Sequence, residues 1–234
     1  MSEQTMRVVF AFDFDGTLAD TRALFESCFE AAAARHGCSE RLPRREFLRL
    51  FDGNLIEAMI ARGLSEAECG ALMATLGDLL AEREAEMRLF PGVREMILGL
   101  AARHPVLVIT SNVSAVVESV MRREGLASVI GGVWGADVEP SKVRKLGNAQ
   151  ARWPGHVLVY VGDTLGDMLE ARRAGAVPVA VGWGWHSPTH IRQADPAAIV
   201  DHPGDVTRTD WLSGPPYSRA GGPPPYRHRP CAGG

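Results

Sequence analysis

The sequence predicts an α/β fold, a doubly wound parallel sheet with a small helical lobe inserted after its first strand. Three observations carry this expectation. Four short apolar runs, at 8–12, 106–110, 157–161 and 177–181, each end in a polar or glycine-containing turn, as buried parallel strands do. Helical patterns over 113–124, 142–152 and 167–174 separate the later runs, which is the rhythm of right-handed βαβ units. Between Thr21 and Leu89 no strand pattern occurs, and that stretch is too long for a simple crossover.

Taken in order, 8–12 opens the sheet. The alanine-rich stretch 22–36 reads as a helix that Gly37 can end. Helical patterns at 44–51, 55–61 and 66–87 follow, the last with Ser65 as its N-cap. Pro91, Gly92 and Val93 return the chain to the sheet, and a weaker strand is expected at 131–135. The expected units are therefore an α/β core of 1–20 and 90–212, a helical lobe of 21–89 and a tail of 213–234. The tail holds six prolines and five glycines with almost no aliphatic residues, so it is expected to be disordered.

Composition narrows the function classes. The 234 residues are 46% hydrophobic and 23% charged, enough for one substantial core. A net charge of −3 gives no nucleic-acid surface, and no apolar stretch approaches a membrane span. Cys28, Cys38, Cys69 and Cys231 form no CxxC pair or zinc-spaced cluster, and the N-terminal residues lack a signal-peptide pattern. Both points favour a cytoplasmic protein with reduced thiols. Of 25 basic residues only Lys142 and Lys145 are lysines, which makes each of them informative.

The strongest chemical signal is Asp13-Phe14-Asp15-Gly16-Thr17-Leu18, directly after the first apolar run. Ligands of open α/β sheets bind beyond the carboxyl ends of the strands. Alternation along an extended segment turns Asp13 and Asp15 to one side, and two such charges call for a cation, a proton or a function. A second carboxylate pair, Asp163 and Asp167, lies in Gly162-Asp163-Thr164-Leu165-Gly166-Asp167 after the third run. Asp167 alone would equally serve as a helix cap. Hard oxygen ligands of this kind suit Mg²⁺. Thr110-Ser111-Asn112, at the end of another run, offers a hydroxyl and backbone N–H groups to an anion.

These segments, DFDGTLAD, the Ser111–Asn112 pair, the lysine and GDTLGD, in that order, resemble the four motifs of the haloacid dehalogenase (HAD) superfamily. The phosphoglycolate phosphatase-like branch matches best, with Phe90-Pro91-Gly92-Val93 and Ala174-Gly175…Val181-Gly182-Trp183-Gly184 adding to it. The resemblance implies a HAD/Rossmann-like core with a cap. It also implies a Mg²⁺-dependent phosphomonoesterase acting on a small phosphorylated metabolite, as a monomer or homodimer. Asp13 would attack phosphorus, and Asp15 would protonate the leaving oxygen and then activate water. Asp13, Asp15 through its backbone carbonyl, Asp163 and Asp167 would hold or support the metal. Thr17, Ser111, Asn112 and Lys142 would form the phosphate-binding surface, with Thr17 also orienting the first loop.

Two positions stay open on sequence alone. The lysine is usually followed by proline in the family, whereas Val143 follows Lys142, and Lys145 lies three positions on. Thr110 also precedes Ser111. Phe51-Asp52-Gly53-Asn54 resembles the specificity loop, and Arg22, Arg44, Arg45, Arg49 and Arg62 are candidates to meet an anionic leaving group such as the carboxylate of 2-phosphoglycolate. Among rivals, Asp15 argues against a dehalogenase, and residues 20–90 hold no lysine for a phosphonatase. A β-phosphoglucomutase-like phosphotransferase and a catalytically silent HAD-fold binding protein are the alternatives.

Overall fold

The computed structural model describes residues 6–208, so the expected tail at 213–234 lies outside the described residues. Its frame is a six-stranded parallel sheet in the order β3-β2-β1-β4-β5-β6. The strands are β1 (Val8–Phe12), β2 (Val106–Ile109), β3 (Val133–Trp134), β4 (Val157–Gly162), β5 (Val177–Val181) and β6 (Ala198–Val200). β1 is central because all five of its side chains are apolar and buried. Val8, Phe10 and Phe12 pack into one layer, while Val9 and Ala11 pack into the other.

Register then decides where the polar ends fall. Phe12 lies opposite Val161 of β4 and Val108 of β2, so the residues following all three strands emerge side by side. The sheet reverses direction of growth between β1 and β4, and that switch point opens a crevice at their carboxyl ends.

Four helices cover the later strands: α4 (Val93–Ala101), α5 (Ser114–Arg123), α6 (Lys142–Arg152) and α7 (Leu165–Ala174). Between β1 and α4 lie α1 (Arg22–Arg35), α2 (Leu55–Ala61) and α3 (Glu66–Glu82), with no strand among them. Ser65 and Glu68 close a reciprocal capping box at the start of α3. Cys69, Leu72, Leu76, Leu79 and Leu80 give α3 its buried stripe.

Several expectations change in detail. The helix expected over 66–87 ends at Glu82 and passes into a 3₁₀ turn, Glu84–Glu86; Arg44–Phe51 is 3₁₀ throughout. The strand expected at 131–135 shrinks to two residues at the sheet edge, where glycines on both sides supply no side chains to pack. Helix α4, the one-turn helices α8 (Pro188–Ile191) and α9 (Pro203–Val206) and strand β6 have no counterpart in the sequence reading. Each of the last three is too short to show a period. Among the described residues no helix is long and apolar enough to cross a membrane.

The central strand sets the fold's tolerance to change. Phe12 is fully buried between both neighbours. Phe12→Ala is expected to cost about 3–5 kcal/mol of unfolding free energy, measured as a lowered urea midpoint with unchanged slope.

Candidate active site

The register brings four ionisable side chains into one buried cluster. Asp13 follows β1 and donates its backbone N–H to Val161 O at 2.9 Å. Asp163 and Asp167 come from the β4–α7 turn, and carboxylate oxygens of Asp13, Asp163 and Asp167 all lie within 4.8 Å of one another. Lys142, the first residue of α6, reaches in with Nζ 2.8 Å from Asp13 Oδ2 and 2.6 Å from Asp167 Oδ1. Asp163 is fully buried, Asp167 is 1% exposed, and Asp13 and Lys142 are little more so.

Each carboxylate is held by its neighbours. Asp163 accepts hydrogen bonds from Thr17 Oγ1 at 2.9 Å and from the Trp185 backbone N–H at 2.8 Å. Asp167 divides its oxygens: Oδ2 closes a capping box with Thr164 at the start of α7, while Oδ1 faces Lys142 and the Tyr160 hydroxyl. Asp167 therefore caps α7 and at the same time joins the carboxylate cluster. Asp15 opens onto the same cavity as Asp13 but turns its carboxylate to Thr21 Oγ1 at 2.8 Å and Asn112 Nδ2 at 3.0 Å. Its side chain is not part of the three-carboxylate cluster.

Two glycines make this closeness possible. Gly16 has φ +78°, and a Cβ there would stand 2.2 Å from Asp163 Oδ2. A Cβ on Gly184 would stand 2.2 Å from the Cβ of Asp163. The chain wraps Asp163 from both sides at backbone distance.

Electrostatics follow from burial. Burial pushes the Asp13 carboxyl up to about 7, against the opposing pull of Lys142 and with added repulsion from Asp167. Burial also drives Asp163 well above the carboxylate range, assisted by the charges of Asp167 and Asp13. For Asp167 burial is outweighed by Lys142 and by the Thr164 hydrogen bonds, so its carboxyl is held below the usual value. Lys142 is raised well above an ordinary lysine, since Asp13 and Asp167 more than offset its desolvation. Asp15 is raised, by burial first, although Thr21 and Asn112 stabilise its charged form.

Three carboxylates facing one ammonium leave a net negative, water-poor cluster. Such a donor set of hard oxygens fits a divalent cation, whose charge would remove the penalty. A second cluster, Asp52, His186 and His190, differs. His186 Nδ1 accepts from the Leu165 N–H, which puts the imidazole proton on Nε2, where it meets Leu48 O at 2.9 Å. That nitrogen is spent as a donor and is not a ligand.

The phosphate-binding expectations divide. Lys142 lines the cavity, whereas Lys145 points away and donates to Thr110 O, with burial and the Lys142 charge lowering it to about 8. Ser111 and Thr110 both line the cavity, but Thr110 Oγ1 already accepts from the Asn112 N–H. Asn112 and Thr17 are buried behind the cavity wall and hold Asp15 and Asp163. None of the five arginines Arg22, Arg44, Arg45, Arg49 and Arg62 lines the cavity. Trp185 is buried and lines the cavity, and Trp183 is half-buried.

The sequence reading missed Thr21, Tyr160 and Glu170. Tyr160 alternates inward on β4 and is fully buried, and Glu170 lies one helical turn after Asp167 and binds Asn54 at 3.1 Å. A polar residue inside an otherwise apolar strand was the available signal for Tyr160.

The family model of haloacid dehalogenase-like hydrolases matches residues 10–181. The chain belongs to that family. The match runs from β1 through β5 and includes every clustered carboxylate and Lys142. A phosphoglycolate phosphatase of Synechococcus elongatus is 29% identical over 83% of this chain and 93% of the relative. Another, of Caulobacter vibrioides, is 31% identical over 79% and 84%. A predicted phosphatase of Clostridium acetobutylicum shares the fold at TM-score 0.74, with 16% identity over 88% of this chain and 98% of that one. The hydrolase thus stands on the phosphoglycolate phosphatase-like branch, among enzymes named as phosphatases.

The raised Asp13 has a measurable consequence. Its folded value near 7 exceeds the ordinary 3.8, so the cation-free hydrolase binds more protons folded than unfolded. Stability from this group is full below about pH 4 and is lost as pH rises through about 7. Asp13→Asn keeps an oxygen for Lys142 and removes the charge. In chelator-treated protein it is expected to flatten that fall and to raise Tm at pH 8 by several degrees, read by scanning calorimetry.

Proposed function

We propose that this hydrolase is a Mg²⁺-dependent phosphomonoesterase that works through an aspartyl-phosphate on Asp13. The observation that carries the reading is Asp13 and Asp15 opening onto one cavity of about 260 Å³, with Lys142 bridging Asp13 and Asp167 at its floor. The names of the phosphoglycolate phosphatase relatives support it. In this reading the helical lobe of 21–89 acts as a cap on the core of 1–20 and 90–212, with Phe51, Gly53 and Asn54 reaching the cavity.

Asp13, Asp163 and the backbone carbonyl of Asp15 would hold Mg²⁺, with Asp167 in support. The bound ion supplies positive charge against the nucleophile and the phosphoryl oxygens. A carboxylate oxygen of Asp13 attacks phosphorus, and the bond from phosphorus to the leaving oxygen breaks. Asp15, whose burial favours the protonated form, gives its proton to that oxygen and releases the alcohol. The resulting Asp15 carboxylate takes a proton from water. The water oxygen attacks phosphorus, the Asp13–phosphorus bond breaks, and inorganic phosphate leaves with both aspartates restored. Throughout, the Lys142 ammonium and the Ser111 hydroxyl stabilise charge on the equatorial oxygens.

Phosphate release from p-nitrophenyl phosphate tests the reading. Wild type is expected to turn over with Mg²⁺ and to stop with EDTA, and Asp13→Asn is expected to lose at least 10³-fold in kcat, in line with removal of a nucleophile. Metal-independent turnover, or turnover kept by Asp13→Asn, would contradict it.

A further inference from the structure

The cavity above Asp13 is walled mainly by apolar side chains, with Lys142, Asp13 and Asp167 at its floor. Phe25, Phe51, Leu55, Ile56 and Met73 wall it from the helical lobe, and Trp185 walls it from the sheet. Phe51 and Phe25 meet Trp185 edge-on, with ring centroids 4.9 Å and 5.2 Å away, so the wall is continuous.

Charge in this cavity is one-sided. Among the described residues Lys142 is the only cation lining it, and its ammonium is already fixed between Asp13 and Asp167 at the floor. Basic side chains of the lobe face elsewhere: Arg44 lies against Glu26 and Glu30, and Arg62 against Glu46. Asn54, a polar residue of the wall, is partly engaged already. Its Oδ1 accepts from the Ile56 and Glu57 N–H groups, and its Nδ2 donates to Glu170. Glu170, lining the same cavity, adds an acid beside any ligand.

A carboxylate placed here would lose its hydration and find no cation in the wall to pair with. An apolar group would gain from the same desolvation. We propose that the substrate of this hydrolase is a phosphate monoester of an uncharged, apolar alcohol, aryl or alkyl, in place of one whose alcohol carries a carboxylate. The proposal rests on the phosphatase reading and names the substrate class of that same site. It separates this chain from what the names of its phosphoglycolate phosphatase relatives describe.

The test compares kcat/KM of the full chain with Mg²⁺ on benzyl phosphate and on 2-phosphoglycolate. Both leaving groups are alcohols of similar acidity, so recognition and not intrinsic reactivity sets the order. Benzyl phosphate is expected to be preferred at least tenfold. Met73→Arg, a change at a half-buried position of α3, puts a cation on the wall and is expected to cut that preference at least fivefold. Equal or faster turnover of 2-phosphoglycolate by wild type overturns the proposal and leaves the phosphatase reading standing. A preference unmoved by Met73→Arg overturns its assignment to this wall. No turnover of either ester, or of p-nitrophenyl phosphate, overturns the phosphatase reading and this proposal together.

Discussion

Three buried carboxylates share one ammonium, and the rest of the molecule is arranged around that imbalance. Asp13, Asp163 and Asp167 sit within 4.8 Å of one another, and Lys142 contacts two of the three. Desolvation raises two of them steeply while Asp167 stays ionised through Lys142 and Thr164. A cluster of this kind costs stability in isolation and is worth keeping only where a cation or a phosphoryl group completes it.

The fold supplies what that arrangement needs. Parallel pairing of β1 with β4 delivers Asp13 and Asp163 from adjacent strand ends without any flexible linker. Thr17 and the Trp185 N–H then fix Asp163, while Thr21 and Asn112 fix Asp15. Gly16 and Gly184 remove the Cβ atoms that would otherwise keep the backbone away. The Asp15 carboxylate is thus held apart from the three clustered carboxylates although it is only two residues from Asp13. One loop thereby offers two carboxylates in different environments.

Much of this was legible in the residues themselves. The apolar runs marked β1, β2, β4 and β5, because strands buried on both faces need unbroken hydrophobic sequence. Asp13, Asp15 and Asp163 stood out because they follow such runs closely, and Asp167 because it pairs with Asp163 in the next turn. Side-chain direction was not legible. Asn112 and Thr17 turn their side chains to Asp15 and Asp163, and sequence spacing does not encode that direction. The lobe's arginines suggested an anionic leaving group, but Phe25, Phe51 and Met73 line the cavity from the lobe and those arginines do not. Short elements such as β6 and α9 escaped because three or four residues carry no periodicity.

Calorimetric titration of Mg²⁺ into the chelator-treated hydrolase, in two buffers of different ionisation enthalpy, tests the central claim most directly. If the cluster is held together by protons until a cation arrives, binding near pH 6.5 releases protons, and affinity rises as pH passes through about 7. Mg²⁺ binding with no proton release and no dependence on pH across that range, or no binding at all, would contradict the account.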